Sequence, residues 1–187
     1  MLKEEAIEIL AQGRSGALSV ATMQGAAPWH EAGQGKSMHI DASGCMGSAA
    51  SLALGLALGR PQDKVIVIDG DGSLLMQLGS LVTVASTQAE NYYHFVFANG
   101  LYESSGNQPI PGQGIFDFCA LAKGAGYRCT FNFETAAEFK AGLPEVLASK
   151  GPVFINLKIA RDDRKPRWAG ISMSSQVKAL RAELETR

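Results

Sequence analysis

The chain has 187 residues, of which 46% are hydrophobic and 19% charged, and its formal net charge is −1. This length and balance are typical of a folded protein of one domain, and the small net charge argues against broad attraction to nucleic acid or anionic membranes. The longest apolar stretch, near residues 48–58, is shorter than the roughly 20 residues that a membrane span needs. The N-terminal segment is amphipathic with early acidic residues, unlike a signal or transit peptide. We therefore expect a cytoplasmic protein with a single domain over residues 1–187.

Helix-like and strand-like segments alternate along the chain. Apolar positions at helical spacing predict a helix over 3–11, and Ala17 to Ala21 is predicted to form a short strand. Residues 23–42 contain scattered glycines and a proline and are predicted to form a loop. The later predicted elements are a small-residue helix over 45–58, strands over 64–69, 93–98, 127–131 and 153–159, helices over 74–88, 116–124, 134–149 and 173–186, and a loop over 99–114. This alternation predicts an α/β fold, a three-layer α/β/α domain with a mostly parallel sheet.

The segment Asp69-Gly-Asp-Gly-Ser73 directly follows an apolar strand that is predicted to be buried on both faces. In parallel sheets, ligands bind beyond the carboxyl ends of the strands. The glycines let the backbone approach a ligand closely, and a following helix start offers N–H groups to a phosphate. The Asp71 carboxylate would repel a phosphate unless a divalent cation lay between them. The pattern therefore predicts Mg²⁺ held by a carboxylate together with phosphate oxygens.

An asparagine occupies the corresponding place after the next strand. Asn99 lies 28 positions beyond Asp71, within Phe97-Ala-Asn-Gly-Leu101. If the two strands are neighbours, both side chains face one crevice, and their hard oxygen atoms suit Mg²⁺ better than zinc. A lone Gly-Asp-Gly or Asn-Gly most often marks only a turn. Their occurrence at successive strand ends favours a shared site.

This pair of motifs resembles the magnesium–diphosphate motif of thiamine diphosphate-dependent enzymes, in which Gly-Asp-Gly is followed by an asparagine at a similar distance. The resemblance identifies the chain with the diphosphate-binding, C-terminal type of domain in that family. It implies that the cofactors are thiamine diphosphate and Mg²⁺. The implied metal ligands are Asp71, the side chain of Asn99 and the backbone carbonyl of Leu101, and the implied diphosphate loop contains Gly70, Gly72 and Ser73.

Other segments extend the resemblance to the rest of the cofactor. Gly44-Cys-Met-Gly-Ser48 is similar to a family segment in which a glycine carbonyl accepts a hydrogen bond from the aminopyrimidine and a bulky apolar residue holds the cofactor bent. The corresponding residues here are Gly44 and Met46. Thr22 resembles a diphosphate-binding threonine. Ser104 follows the implied metal-binding loop and would face the reacting end of the cofactor. It could bind a ligand there or be only part of the loop, and both alternatives are open.

Within the family, the chain resembles the beta subunit of sulfopyruvate decarboxylase and phosphonopyruvate decarboxylase. The similarity covers about residues 18–160 and includes the runs 72–81, 99–108 and 151–158. The chain departs from these enzymes at Ala98 and in Ser-Ser-Gly-Asn-Gln at 104–108. Because these positions flank the expected substrate pocket, the resemblance leaves the substrate open.

The family activates its cofactor with a glutamate on a separate pyrimidine-binding domain. That domain would need about 150 further residues, on the usual size of a domain. Glu4, Glu5 and Glu8 lie on the first predicted helix and are expected to form a solvated face. The resemblance therefore implies that a pyrimidine-binding alpha subunit supplies the glutamate, in a dimer or larger assembly, and that the isolated chain is inactive. No catalytic residue is assigned within this chain.

The expected reaction is decarboxylation of a small 2-oxo acid that bears a second acidic group. A thiamine diphosphate subunit of a carboligase or of a 2-oxo acid oxidoreductase would carry the same motif. A nucleotide-binding module on a Rossmann-like sheet is a further alternative, although no Gly-x-Gly-x-x-Gly follows the first strand. A partner that binds cofactor without catalysis is another.

Three histidines and two tryptophans need separate interpretation. His94 lies inside a predicted strand and is expected to be packed there. His30 and His39 precede the Gly44 segment, where a proton-transfer role is open because histidine titrates near neutrality. Trp29 and Trp168 are expected to pack at an interface.

The mixed-charge run over 161–167 is expected to be solvated, with anion binding by Arg164 or Arg167 as an alternative. The three cysteines lack a Cys-x-x-Cys spacing and are expected to be free thiols.

Overall fold

The structure, a computed structural model, describes residues 1–162, 167, 168 and 170–186. Its strands are β1 Leu18–Ala21, β2 His39–Asp41, β3 Val65–Gly70, β4 Tyr92–Ala98, β5 Leu101–Tyr102, β6 Gln108–Pro109, β7 Cys129–Phe133 and β8 Val153–Lys158. Its helices are α1 Lys3–Gly13, α2 Ala26–Glu31, α3 Ala49–Gly59, α4 Asp71–Met76, α5 Ser80–Thr87, α6 Phe118–Ala125, α7 Ala136–Ala148 and α8 Met173–Glu185. Single turns of 3₁₀ helix occur at Met23–Gly25 and Glu103–Ser105. Within these ranges, no helix is both long and apolar enough to cross a membrane.

Six strands form one parallel sheet in the order β2-β1-β3-β4-β8-β7. β3 and β4 are central neighbours, and Gly70 at the end of β3 is in register with Phe97 of β4. The loops that follow these two strands therefore begin side by side. The order also reverses between β1 and β3, which is where parallel α/β sheets open a ligand crevice. The predicted α/β fold is confirmed, and the two motif-bearing strands are neighbours, which is the condition for a shared site.

Both faces of the sheet are covered, which gives the expected three layers. Alternate residues of β3 enter opposite cores, with Val65 and Val67 on one face and Ile66 and Ile68 on the other. The first core is closed by α3, α5, α6 and α8, and the second by α1, α2 and α7. This burial on both faces explains the continuous apolar run that precedes Asp69.

The predicted loop over 23–42 was wrong in part, because it contains α2 and the edge strand β2. Strand β2 is only three residues long, which is too short to produce a recognisable alternation of apolar and polar residues. The interface role expected for Trp29 was also wrong. Its side chain is fully buried within the chain, where Nε1 donates to Oγ of Ser19 at 3.2 Å.

The predicted helix over 74–88 consists of two helices, α4 and α5, which are separated around Gln77–Gly79. Helix α4 begins at Asp71, immediately after β3, because Gly70 is extended and serves as the N-cap. The start of α4 therefore lies at the carboxyl edge of the sheet, beside the loop that follows β4. The predicted loop over 99–114 also contains the short antiparallel pair β5–β6.

Candidate functional site

A cleft opens at the carboxyl ends of β1, β3 and β4. Of the ten residues implied by the sequence, nine line it: Thr22, Met46, Gly70, Asp71, Gly72, Ser73, Asn99, Leu101 and Ser104. Gly44 is exposed and lies in a neighbouring cavity beside Asp41 and Trp168. The structure thus gathers the metal and diphosphate positions in one cleft and leaves the expected aminopyrimidine contact at Gly44 outside it.

Asp71 connects the two motif-bearing loops. Its Oδ1 accepts from the N–H of Gly72 at 2.8 Å, and its Oδ2 accepts from the N–H of Gly100 at 2.6 Å. The side chain is buried, and this burial raises its pKa from 3.8 to about 6, although the backbone hydrogen bonds act in the opposite direction and the nearby charge of Glu103 raises it slightly further. A buried carboxylate with a raised pKa and free lone pairs is a strong candidate for a cation ligand.

The loop after β4 contributes two further oxygen atoms. Oδ1 of Asn99 accepts from the N–H of Leu101 at 2.9 Å and keeps a second lone pair. Leu101 lies opposite Pro109 in the β5–β6 pair, and the flanking bond runs from the N–H of Ile110 to the carbonyl of Gly100 at 3.0 Å. Leu101 is therefore in a non-hydrogen-bonded position, and its carbonyl points away from β6. That carbonyl is therefore available to a ligand.

Close packing explains the glycine at position 72. A Cβ atom there would lie 2.5 Å from the ring of Tyr102, so no other residue fits without moving the β5–β6 pair. The two predicted hydroxyl groups are engaged in local contacts. Oγ of Ser73 accepts from the N–H of Gly47 at 3.0 Å, and the hydroxyl of Thr22 donates to the carbonyl of Ala42 at 3.0 Å. Ser73 thus holds the 44–48 segment beside the cleft.

Lys3, Gln24 and Glu103 line the same cleft. Glu103 was expected to face the reacting end together with Ser104, whereas Lys3 and Gln24 were missed as site residues. Nζ of Lys3 is 3.0 Å from Oε2 of Glu103 and 3.8 Å from Oδ2 of Asp162, and the side chains of Lys3 and Glu103 are 7% and 9% exposed. Lys3 and Glu103 are 100 positions apart in the chain, so only the fold reveals the pair. Nothing in the local sequence around Lys3 indicates a buried cation.

Two buried polar atoms in this part of the cleft, Nε2 of Gln24 and Oε1 of Glu103, have no hydrogen-bond partner among the residues that the structure describes. The backbone N–H of Arg167 donates to Oε1 of Gln24 at 3.2 Å, which fixes the orientation of the amide. The other oxygen of Glu103 is held by Lys3. Because buried polar groups in native proteins are nearly always paired, one free donor and one free acceptor beside Asp71 indicate where a polar ligand binds.

The histidines lie outside the cleft. His94 is buried inside β4, as predicted. Burial, together with the nearby charge of Arg14, lowers the pKa of His39 to about 3, so this histidine is neutral at physiological pH. His30 and His39 line a different groove, against α8. The geometry therefore gives no support to the proton-transfer role considered for either residue.

The other charged residues that the sequence analysis considered lie on the first helix and in the run over 161–167. Glu5 and Glu8 are exposed on α1, as expected. The guanidinium of Arg167 is 2.7 Å from Glu31 and 3.3 Å from Glu4, so it is engaged by acids rather than by an anion. Arg164 lies outside the described residues.

We expect the Asp71→Asn variant to be more stable than the wild type at pH 8, by about 1–2 kcal/mol, in metal-free buffer. Because the pKa of Asp71 is higher in the folded state, the carboxyl group contributes most to the free energy of unfolding below pH 4, where it is protonated. This contribution is lost as the pH rises through 6. Above that pH the side chain is charged and buried, which opposes folding. Asparagine carries no charge at any pH. Urea denaturation at pH 5 and pH 8 measures the effect, and an equal stability difference at both values would contradict it.

Comparison with known proteins gives consistent results. The chain is 40% identical over 124 residues to phosphonopyruvate decarboxylase of Streptomyces hygroscopicus, covering 66% of this chain and 30% of the relative. It is 45% identical over 97 residues to sulfopyruvate decarboxylase subunit beta of Methanocaldococcus jannaschii, covering 52% and 50%. The corresponding subunit of Methanothermobacter thermautotrophicus is 36% identical over 121 residues, covering 65% and 62%. The chain thus spans less than two thirds of the length of each of these relatives.

Among solved structures, benzoylformate decarboxylase of Polynucleobacter necessarius matches with a TM-score of 0.72 and 21% identity, covering 86% of this chain and 33% of the other. That likeness concerns the fold. A family model described as "Thiamine pyrophosphate enzyme, C-terminal TPP binding domain" matches residues 19–157, which is most of the chain, and this argues against the nucleotide-binding alternative. The chain belongs to the family of C-terminal TPP-binding domains of thiamine pyrophosphate enzymes.

Proposed function

We propose that this chain is the diphosphate- and Mg²⁺-binding subunit of a thiamine diphosphate-dependent 2-oxo acid decarboxylase of the sulfopyruvate and phosphonopyruvate type. The observation that carries the proposal is that the Asp71 carboxylate, the Asn99 amide and the Leu101 carbonyl line one cleft directly after two neighbouring strands. The names of the relatives with 36–45% identity support the choice of decarboxylase chemistry.

The oxygen atoms of the three implied ligands fit Mg²⁺, which is rarely coordinated by protein atoms alone. Mg²⁺ is usually bound through one or two carboxylates, with phosphate oxygens and water completing its shell. Asp71 offers one carboxylate, and Asn99 and Leu101 offer neutral oxygen atoms. Within residues 1–162, 167, 168 and 170–186, no group of three or more His, Cys, Asp or Glu side chains is arranged to hold a metal. A diphosphate is therefore needed to complete the coordination.

The two unpartnered atoms fit the same cofactor. Nε2 of Gln24 can donate to a diphosphate oxygen, and Oε1 of Glu103 can accept from a water molecule bound to the metal. Met46 also lines the cleft and would supply an apolar contact to the cofactor. Thiamine diphosphate, when bound, supplies the carbanion and the electron sink for loss of CO₂.

We further propose that a pyrimidine-binding alpha subunit completes the active site and supplies the activating glutamate, in a dimer or larger assembly. Two of the relatives are named as beta subunits, which supports a partner subunit. The chain spans 30% of the phosphonopyruvate decarboxylase of Streptomyces hygroscopicus. The substrate would be a small 2-oxo acid.

Calorimetric titration with thiamine diphosphate tests the cofactor assignment. We expect saturable binding in the presence of Mg²⁺ and a large loss of affinity when EDTA removes the metal, because the diphosphate would then face the Asp71 carboxylate without a cation. The titration is made on the full chain and on its complex with a co-expressed pyrimidine-binding chain. Binding in neither case, or binding that does not depend on metal, would contradict the assignment. Turnover of a 2-oxo acid by the chain alone would contradict the two-subunit proposal.

A further inference from the structure

A network of buried, hydrogen-bonded polar side chains lies directly behind the diphosphate loop. Nε2 of His94 lies 3.2 Å from Oδ2 of Asp69, and Nδ1 of His94 lies 3.3 Å from the hydroxyl of Tyr127. The other oxygen of Asp69, Oδ1, accepts from the N–H of Gly70 at 2.9 Å. The side chains of His94 and Asp69 are 0% and 2% exposed. The network thus joins the turn before β7, strand β4 and strand β3 to the first residue of the loop that presents Asp71.

The surroundings of this network are mostly apolar, apart from the hydroxyl of Tyr92, which lies beside Tyr127 and donates to the carbonyl of Ala50 at 3.0 Å. On β3, the same face of the sheet carries Val65 and Val67, both fully buried, before it reaches Asp69. The ring of Phe154 packs edge-on against His94, with the ring centroids 5.4 Å apart. Burial of a carboxylate and an imidazole in such a place is costly unless both are well paired. A purely structural position would be filled more simply by an apolar side chain.

The direction of the hydrogen bonds follows from the chemistry of the three groups. Burial raises the pKa of Tyr127, so its hydroxyl keeps its proton and can donate to Nδ1 of His94. Nε2 of His94 then carries the ring proton and donates to the Asp69 carboxylate. Asp69 in turn orients the peptide of Gly70, the N-cap of α4. Each group holds the next in one orientation.

We propose that His94 is a positioning residue for the cofactor site, which acts through Asp69 to hold the Gly70–Ser73 loop in its binding geometry. The role resembles that of residues that orient metal ligands from the second layer of a site, whose loss typically weakens metal binding by about 10- to 100-fold. The proposal rests on the function proposed for the loop. The positioning role of His94 differs from a role in core packing. Positioning requires a hydrogen-bond donor at Nε2, whereas packing requires only a ring of the right size.

Hydrogen exchange of the loop amides in the full, cofactor-free chain tests the proposal without relying on activity. In His94→Leu, the amides of Gly70 to Ser73 are expected to exchange at least about tenfold faster than in the wild type, because the loop opens locally. In His94→Gln, whose amide nitrogen can take the place of Nε2, they are expected to remain within about threefold. His39→Leu is the matched control, because His39 is also buried and bonded to Oγ of Ser19 at 2.9 Å but does not line the cleft.

The proposal is overturned if the loop amides respond to His94→Leu no more than to His39→Leu. If His94→Leu fails to fold, the comparison of His94→Gln with His39→Leu and the tautomer of wild-type His94 in ¹⁵N spectra decide the question. A proton on Nε2 supports the proposal, and a proton on Nδ1 alone overturns it. Affinity for thiamine diphosphate with Mg²⁺ gives a second readout, with a loss of about tenfold expected in His94→Leu. Absence of binding by the wild type, both alone and with the pyrimidine-binding chain, would refute the proposed function, whereas the exchange result would still decide the role of His94.

Discussion

Replacement of Asp71 by alanine is expected to abolish Mg²⁺-dependent binding of thiamine diphosphate, with a loss of affinity of at least about 100-fold. Asp71 offers the only carboxylate among the three implied metal ligands, the others being Asn99 and Leu101. It also accepts from the N–H groups of Gly72 and Gly100, so it fixes the two loops relative to each other. The variant loses both the charge that attracts the cation and the bond between the loops.

Asp71→Asn separates these two contributions. Asparagine keeps the side-chain volume and one acceptor oxygen, so much of the contact between the loops should survive while the charge is lost. We expect this variant also to lose metal-dependent binding, although it folds at least as stably as the wild type at pH 8. Asp63→Ala, which removes an acid paired with Arg60 away from the cleft, is the control and should bind normally. Wild-type affinity in Asp71→Ala would exclude Asp71 as a metal ligand.

The two variants together connect the energetics of the fold with its proposed function. Burial raises the pKa of Asp71, which means that the metal-free fold is less stable at neutral pH than it would be with a neutral side chain. A bound cation would remove this penalty by pairing with the carboxylate. A site that opposes folding when empty is common where function requires a buried charge. The same aspartate is therefore expected to weaken the fold and to be indispensable for binding.

The sheet and the metal loops could be predicted because their signals are local. The apolar run that ends at Asp69 reflects burial on both faces of β3, and the glycine at position 72 reflects the close approach of Tyr102. The sequence left the pairing of β3 with β4 as a condition, which the structure meets. The metal ligands implied by the resemblance could be named in advance because they come directly after these strands, and they stay a prediction.

The other parts of the site depend on tertiary contacts that a local pattern does not contain. The short strand β2 and helix α2 bury Trp29 without a long amphipathic repeat. Lys3 reaches the cleft only because α1 packs beside the carboxyl edge of the sheet, where Glu103 meets it. The network from Tyr127 through His94 to Asp69 likewise joins two strands to the turn before β7. Sequence periodicity predicted that His94 is buried, but not what it contacts.

Replacement of Lys3 by methionine is expected to lower the free energy of unfolding by about 3 kcal/mol at pH 8. Methionine preserves most of the apolar stem of lysine and removes the ammonium group. Glu103, whose side chain is 9% exposed, would then keep a buried charge without its cation, and its Oε1 already lacks a partner. Loss of one member of a buried ion pair is costly for this reason, even where the pair itself adds little net stability.

Two further variants separate the effect of breaking the Lys3–Glu103 ion pair from the effect of removing a lysine charge at the surface. Lys158→Met removes a lysine that pairs with Glu134 at 3.1 Å but is 65% exposed, and it should change stability by less than about 0.5 kcal/mol. The double variant Lys3→Met, Glu103→Gln removes both charges and should recover most of the stability lost in the single variant. Urea denaturation at pH 8 gives all three values. A single Lys3→Met variant as stable as Lys158→Met would mean that Glu103 moves out to solvent, and that the Lys3–Glu103 pair does not hold α1 against the metal loop.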